Sequence, residues 1–223
     1  MPPRRHYLPS LLVAAIGIFS SATASAQDIS FTPRTMLEWP TKSFSGDTEY
    51  RLTQVDGLSI LEARANGQAS AKYLERDIDL NATPYLRWCW QVSNIHHGLD
   101  ETTQSGDDYP ARVYVARKTG LLPWQVESVN YVWSSSQALG TTWPNAFTER
   151  AVLMAVESGD TKVGQWVGEV RDVREDYQRL FGASPDSIDG IALMSDGDNA
   201  GVDATARFSR IELSASSAAP SCP

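Results

Sequence analysis

YLRWCWQV, residues 85–92, alternates strictly: Leu86, Trp88, Trp90 and Val92 fall on one face, and Tyr85, Arg87, Cys89 and Gln91 on the other. A period of two is the pattern of a half-buried strand. Two indoles and two aliphatic side chains on one face are too much apolar surface to leave in water, so that face must pack on a second layer. The same alternation recurs in EYRLTQV from Glu49, LSILEARA from Leu58, ARVYVARK from Ala111, SVNYVWS from Ser128, RAVLMAVES from Arg150, IDGIALMS from Ile188 and ATARFSRIELS from Ala204. Asp56-Gly57 and Asn66-Gly67 mark tight turns early in the chain. Many short strands with few helices predict an all-β fold, two antiparallel sheets packed as a sandwich.

One segment breaks the pattern. In DVREDYQRLFG, Asp172 stands at an N-cap position with Glu175 three residues on, a pair that can satisfy free backbone donors reciprocally. Val173, Tyr177, Leu180 and Phe181 make an apolar stripe, and Gly182 suits the left-handed residue that ends a helix. The spacing predicts a short helix near residues 172–181.

The N-terminus carries Arg4 and Arg5, an apolar run from Leu11 to Phe19, and small residues ending in Ala24-Ser25-Ala26. This is the pattern of a signal peptide cleaved after Ala26, with an apolar run short of the roughly 20 residues a spanning helix needs. The expected location is periplasmic or secreted, with no membrane span after cleavage. The whole chain has a net charge of −8, and losing the two leader arginines lowers it by two more, to −10. Nucleic acid is excluded as a partner on that balance, because phosphate binding wants a basic surface. Residues 27–36 read as an N-terminal segment, 37–214 as one sandwich domain and 215–223, rich in Ser, Ala and Pro, as a disordered tail. Cys89 and Cys222 are the two cysteines; an oxidising compartment permits a bridge, and spacing alone leaves the pairing open.

MSDGDNAG, residues 194–201, resembles the start of a calcium-binding EF-hand loop. Asp196, Asp198 and Gly201 occupy the first, third and sixth positions, but Ala200 and Arg207 stand at the fifth and twelfth, where ligands are required, and both flanks alternate like strands. The alternatives are a strand connection, with Gly197 and Gly201 supplying positive φ, and a looser oxygen site for a hard cation such as calcium. A second acidic cluster, Asp107 and Asp108, precedes a strand, and adjacent carboxylates repel unless a cation or an arginine such as Arg112 is near. His96 and His97 fall in a polar loop and do not have the spacing of a zinc site. Trp143, in SSSQALGTTWPNAFT, reads as a loop indole able to stack on a sugar, or as an anchor of the loop. The G-x-S-x-G, H-E-x-x-H and phosphate-loop patterns are absent from the sequence.

YVW at 131–133, GDDYPARVYV at 106–115, GQWVGEVRDVREDYQRLFG at 164–182 and IDGIALMSDGDNAG at 188–201 form an ordered set of motifs. With them the chain resembles the bacterial domain-of-unknown-function 3047 family, from about Trp39 to Leu213. The resemblance implies an exported β-sandwich similar to galactose-binding and carbohydrate-binding jelly rolls, and it implies no activity. The family's usual T-D-T-D-N stands here as Ser195 to Asn199, keeping both carboxylates and losing two threonine hydroxyls.

The leading expectation is a non-enzymatic exported binding module for a glycan or similar small polar ligand. Its ligand residues are Asp107, Asp108, Trp143, Asp196, Asp198 and Asn199, with Asp107, Asp108, Asp196 and Asp198 able to hold a divalent cation, calcium. Glu169 and Arg171 are secondary candidates. The competing readings are a carbohydrate-active enzyme working through paired carboxylates, which needs a pair about 5–9.5 Å apart, and an envelope structural protein whose acidic motifs brace the fold.

Overall fold

The computed structural model describes residues 27–122 and 124–223, so the expected leader and its cleavage point lie outside the described residues. In chain order the elements are β1 (Ile29–Phe31), α1 (Pro33–Leu37), β2 (Thr41–Ser45), β3 (Glu49–Val55), β4 (Leu58–Asn66), β5 (Ala69–Asp79), β6 (Tyr85–Val92) and β7 (Arg112–Lys118). There follow β8 (Val126–Ser134), β9 (Thr142–Asn145), β10 (Thr148–Ser158), β11 (Val167–Asp172), α2 (Val173–Phe181), β12 (Ser187–Asp196) and β13 (Asp203–Ser214). One sheet runs β11-β6-β13-β4-β3 with β1 added on β13, and the other runs β2-β5-β12-β7-β8-β10-β9. The fold is the all-β two-sheet sandwich that the alternation predicts. It is antiparallel except at β8 and β10, which pair in parallel. There the intervening β9 pairs antiparallel with β10, so the chain reverses twice before β10 joins β8.

Trp88 and Trp90 sit between the sheets with no exposed surface. Their rings meet edge to face at 5.3 Å, and across the gap Trp88 packs on Tyr131 and Trp90 on Trp133 at 5.5 and 5.9 Å. Val113, Val115, Val129, Ile191 and Leu193 complete the facing layer. Interdigitation of two apolar faces is what holds aligned sheets together. On the far face of β6, Cys89 is bonded to Cys222. The segment expected to be a disordered tail is thereby tied to β6, and Pro220 and Cys222 press against Gly168 of β11. The N-terminal segment is likewise built in: β1 pairs with β13, and Phe31 and Met36 are in the core.

The predicted helix is α2. Asp172 accepts a hydrogen bond from the Glu175 amide at 3.0 Å, and Gly182 closes the helix at φ +72°. Val173 and Tyr177 enter the core, and the Tyr177 hydroxyl is shared between the carbonyls of Val115 and Glu127.

Candidate functional site

MSDGDNAG begins on β12, where Met194 and Asp196 face away from the other sheet, and then turns back toward β13. Gly201 takes φ +65°, but Gly197 has no positive φ; it is needed because a Cβ there would lie 2.0 Å from the Val202 carbonyl. The turn is closed by Val202 N donating to Gly197 O at 2.9 Å and Gly67 N to Val202 O at 3.1 Å.

Asp107 and Asp108 arrive from the loop ahead of β7 and meet this turn. Asp108 Oδ1 accepts from the backbone and side-chain amides of Asn199, both at 3.1 Å, and its Oδ2 accepts from Ala200 N at 2.7 Å. Arg112, the first residue of β7, pairs with Asp196 rather than with Asp108: Nε donates to Oδ1 at 2.9 Å and Nη2 to Oδ2. The same Nη2 donates to the Asp107 carbonyl at 2.5 Å. Asp107 Oδ2 takes the Asn145 amide at 3.0 Å, and its Oδ1 is buried without a partner. The two acidic clusters are thus brought together. One oxygen each of Asp108, Asp196 and Asp198 lies within 4.8 Å of the others, and Asp107 stands outside that group.

The charges are unbalanced. Burial pushes the Asp196 carboxyl up to about 7, even against the Arg112 guanidinium beside it, and Asp108 and Asp107 add to the rise. Burial and the Asp108 charge also raise Asp198. Burial opposes the Arg112 cation, yet Asp196 and Asp107 hold it well above the usual arginine range. His96 is buried, donates from Nε2 to the Asp196 carbonyl at 3.2 Å, and is lowered by that burial toward the neutral imidazole. One permanent cation therefore faces four carboxyl groups.

Asp107, Arg112, Asp196, Asp198 and Asn199 line part of a cleft of about 510 Å³ on the outer face of the seven-stranded sheet, while Asp108 is fully buried and outside its lining. Tyr114, Asn130 and Asn145 also line it, and Phe44 and Phe147 stand exposed at its rim. Sequence reading missed these five. The signal for Tyr114 and Asn130 was present, since alternation puts them opposite the core residues Val113, Val115, Val129 and Tyr131 on the same strands. Asn145, Phe44 and Phe147 come from short peripheral segments and carry no such pattern.

Trp143 does not join them. It lies on β9 opposite Leu153 of β10, is 6% exposed, and packs with Tyr109, Val132, Leu153 and Ala155. Its Nε1 donates to the Glu101 carbonyl at 3.0 Å. The expected loop is a paired strand, so the indole anchors the fold and has no free face for a sugar. Glu169 and Arg171 are on β11, in the other sheet. Arg171 is paired with Asp176 at 2.5 Å, and Glu169 is pushed up to about 8 by burial and by Glu157.

A family model described as a protein of unknown function, DUF3047, matches residues 37–212. The chain belongs to the DUF3047 family. No curated protein matches this DUF3047 chain. Among solved structures it is similar to the glycoside hydrolase domain of Endo-D from Streptococcus pneumoniae R6, at 13% identity and a TM-score of 0.40, covering 79% of this chain and 22% of that one. It is also similar to a meso-active thermo-stable cellulase derived from the Cel12A cellulase of Rhodothermus marinus, at 10% identity and a TM-score of 0.42, covering 84% of this chain and 100% of that one. An exo-beta-agarase is a third, at 11% identity and a TM-score of 0.32, over 79% of this chain and 23% of that one. The DUF3047 chain thus spans under a quarter of the length of two of these three structures. Among the described residues no helix is long and apolar enough to cross a membrane.

Proposed function

We propose that this protein is an exported binding module that takes a polyhydroxylated ligand, a glycan, at the acidic end of the cleft, with a calcium ion held by Asp108, Asp196 and Asp198. The observation that carries the reading is the convergence of these three carboxylates, from two distant segments, beside a cleft whose lining, among the described residues, includes one permanent cation, Arg112. Like charges brought together out of water are unfavourable unless protonated or neutralised. Calcium takes 6–8 oxygen ligands, so three carboxylates leave positions that ligand hydroxyls can fill. Asp107 and Asn199 would accept and donate hydrogen bonds to the same ligand. Export is supported by the leader pattern of residues 1–26.

Binding is favoured over hydrolysis by the state of Asp196. It has the raised carboxyl expected of a general acid, but Oδ1 accepts from Arg112 and from the Tyr109 amide at 3.3 Å and Oδ2 accepts from Arg112, so it is poorly placed to protonate a leaving group, whereas the second lone pair of Oδ2 stays open to a cation.

Thermal unfolding in calcium and in chelator tests the cation. Calcium at 100 times its dissociation constant adds about 2.7 kcal/mol of stability. The expected result is a higher melting temperature in calcium, and loss of that shift in Asp198→Asn, whose side chain is the most accessible of the three. Equal melting temperatures in calcium and chelator would remove the cation from the site.

A further inference from the structure

The cleft does not end at the acidic cluster. A second hollow, of about 340 Å³, is lined by Tyr73, Gly190, Ala192, Ala116 and Lys118 and shares Tyr114 and Phe44 with the first. Both hollows follow the outward positions of two neighbouring strands: Asp196, Met194, Ala192 and Gly190 on β12, and Arg112, Tyr114, Ala116 and Lys118 on β7. Six residue steps from Asp196 to Gly190 span roughly 20 Å of strand. Together the hollows form a groove along the strands, with the acidic cluster at one end.

The build of the groove is specific. Tyr73, Ala192 and Tyr114 lie directly opposite one another on β5, β12 and β7. The small Ala192 therefore sits between two tyrosines roughly 10 Å apart in backbone terms. Beyond it the floor is Gly190 and Ala116, and no side chain fills the channel there. Tyr114 rests on Ala69, Ala71 and Met194, which fixes its ring as part of the surface. β12 is paired on both sides, by β5 and β7, so its backbone donors and acceptors are spent within the sheet. A peptide would find no strand edge here to pair with.

Recognition must then come from aromatic faces and short polar side chains: Tyr73, Tyr114 and Phe44 for apolar ring faces, and Asn130, Asn145 and Asp107 for hydroxyls. The partnerless Oδ1 of Asp107, on a residue only 4% exposed, is an acceptor awaiting a donor. An anionic chain is disfavoured by the carboxyl groups at one end, and at the far end two of the cations are already paired, Lys118 at 3.7 Å from Glu75 and Arg117 at 3.0 Å from Glu127, which leaves Lys42 of β2 as the other cation of the lining.

We propose that the groove binds a linear, uncharged oligosaccharide along β12 and β7, with one end of the chain at the acidic cluster and further sugar units over Ala192 and Gly190. This rests on the glycan reading of the acidic end and adds to it a chain length and a direction. It is tested by calorimetric titration of the full mature chain, in calcium, with disaccharide-to-hexasaccharide series of β-linked glucose, galactose and N-acetylglucosamine. The expected result is a hexasaccharide bound at least tenfold more tightly than the matching disaccharide. Ala116→Trp, which blocks the far half of the groove, should abolish that gain. It should leave disaccharide binding and the calcium-dependent melting shift as in the parent protein. Tyr73→Ala, a trimming of a half-exposed ring, should reduce hexasaccharide affinity roughly two- to tenfold with the disaccharide unchanged, which covers the case of a tryptophan variant that fails to fold. Affinity independent of chain length would overturn the groove and leave the glycan reading of the acidic end standing. Absence of binding to every series would overturn both.

Discussion

Two buried carboxylates on the faces of this sandwich turned away from the core show opposite designs. Glu62, on β4, is 2% exposed and is met by three arginines: Arg51 at 2.7 Å, Arg64 at 2.8 Å and Arg207 at 2.9 Å. Arg51 and Arg207 come from the strands on either side, each directly opposite Glu62 in register. Asp196, on β12, is equally buried, but it shares one arginine with three other carboxyl groups. Burial works to raise both carboxyls. At Glu62, hydrogen bonds from Arg51 and Arg207 overcome it and hold the group below the usual glutamate range. At Asp196 the single Arg112 does not, and the carboxyl rises to about 7. A carboxylate surrounded by arginines is a finished brace between three strands. A carboxylate crowded by others is left in want of a cation, and the proposed site rests on that want.

The largest separation between the two regions should come from removing an arginine at each. Arg112→Met strips the acidic cluster of the one permanent cation it has among the described residues and leaves buried, unpaired carboxyls, for which the loss is about 3–5 kcal/mol. Arg207→Met leaves Glu62 with two other arginines, one of them 44% exposed, so a loss of about 1 kcal/mol is expected after solvent screening. Urea unfolding measures both. Calcium should restore part of the stability of the first variant and none of the second; equal responses would mean that charge balance does not distinguish the two regions.

Solution pH should pull the regions in opposite directions. The Asp196 carboxyl is raised in the folded protein, so its contribution is complete below the ordinary aspartate range and is lost as pH rises through about 7. The Glu62 carboxyl is lowered, so its contribution is present above the ordinary glutamate range and is lost as pH falls below it. In chelator, melting temperature should fall both on the acid side and as pH rises from about 4 to 8, the span between the ordinary aspartate range and the raised Asp196 carboxyl. Glu62→Gln should flatten the acid limb and Asp196→Asn the neutral one. Calcium should lift the neutral limb alone, because it binds the ionised cluster. A neutral limb indifferent to calcium would detach Asp196 from any cation.

How far each region could be read beforehand follows from its physics. The sandwich core was legible because a buried face leaves a period-two trace, and YLRWCWQV carries that trace without interruption. β5 was harder to see: Lys72, Glu75, Arg76 and Asp77 interrupt its apolar positions although it lies between β2 and β12. The residues of the acidic cluster were legible one by one, since carboxylates beside glycines stand out. Their meeting was not, because it depends on β12 ending beside the start of β7, a relation of register between strands about 80 residues apart in sequence. Trp143 was left between a sugar platform and a loop anchor for the same kind of reason. Its neighbours in sequence are polar, and only pairing with β10 shows that its neighbours in space are Leu153 and Tyr109. The Cys89–Cys222 bond joins β6 to the chain end, and spacing carries no information about it.

The smallest effect is expected at the rim of the balanced region. Arg51 donates two hydrogen bonds to Glu62 Oε1, at 3.1 and 2.7 Å, yet its side chain is 44% exposed. In water such a pair gains little, because screening weakens the attraction and holding a long side chain in place has an entropic cost. Arg51→Ala should therefore lower stability only slightly, less than any other substitution considered above, with the calcium-dependent melting shift unchanged. Arg64 and Arg207 would still face Glu62, so the carboxylate stays paired and the three strands stay joined. A loss as large as that of Arg112→Met would show that the surplus of arginines around Glu62 is not redundant. Charge counting would then distinguish a brace from a site less sharply than the opposite shifts of Glu62 and Asp196 indicate.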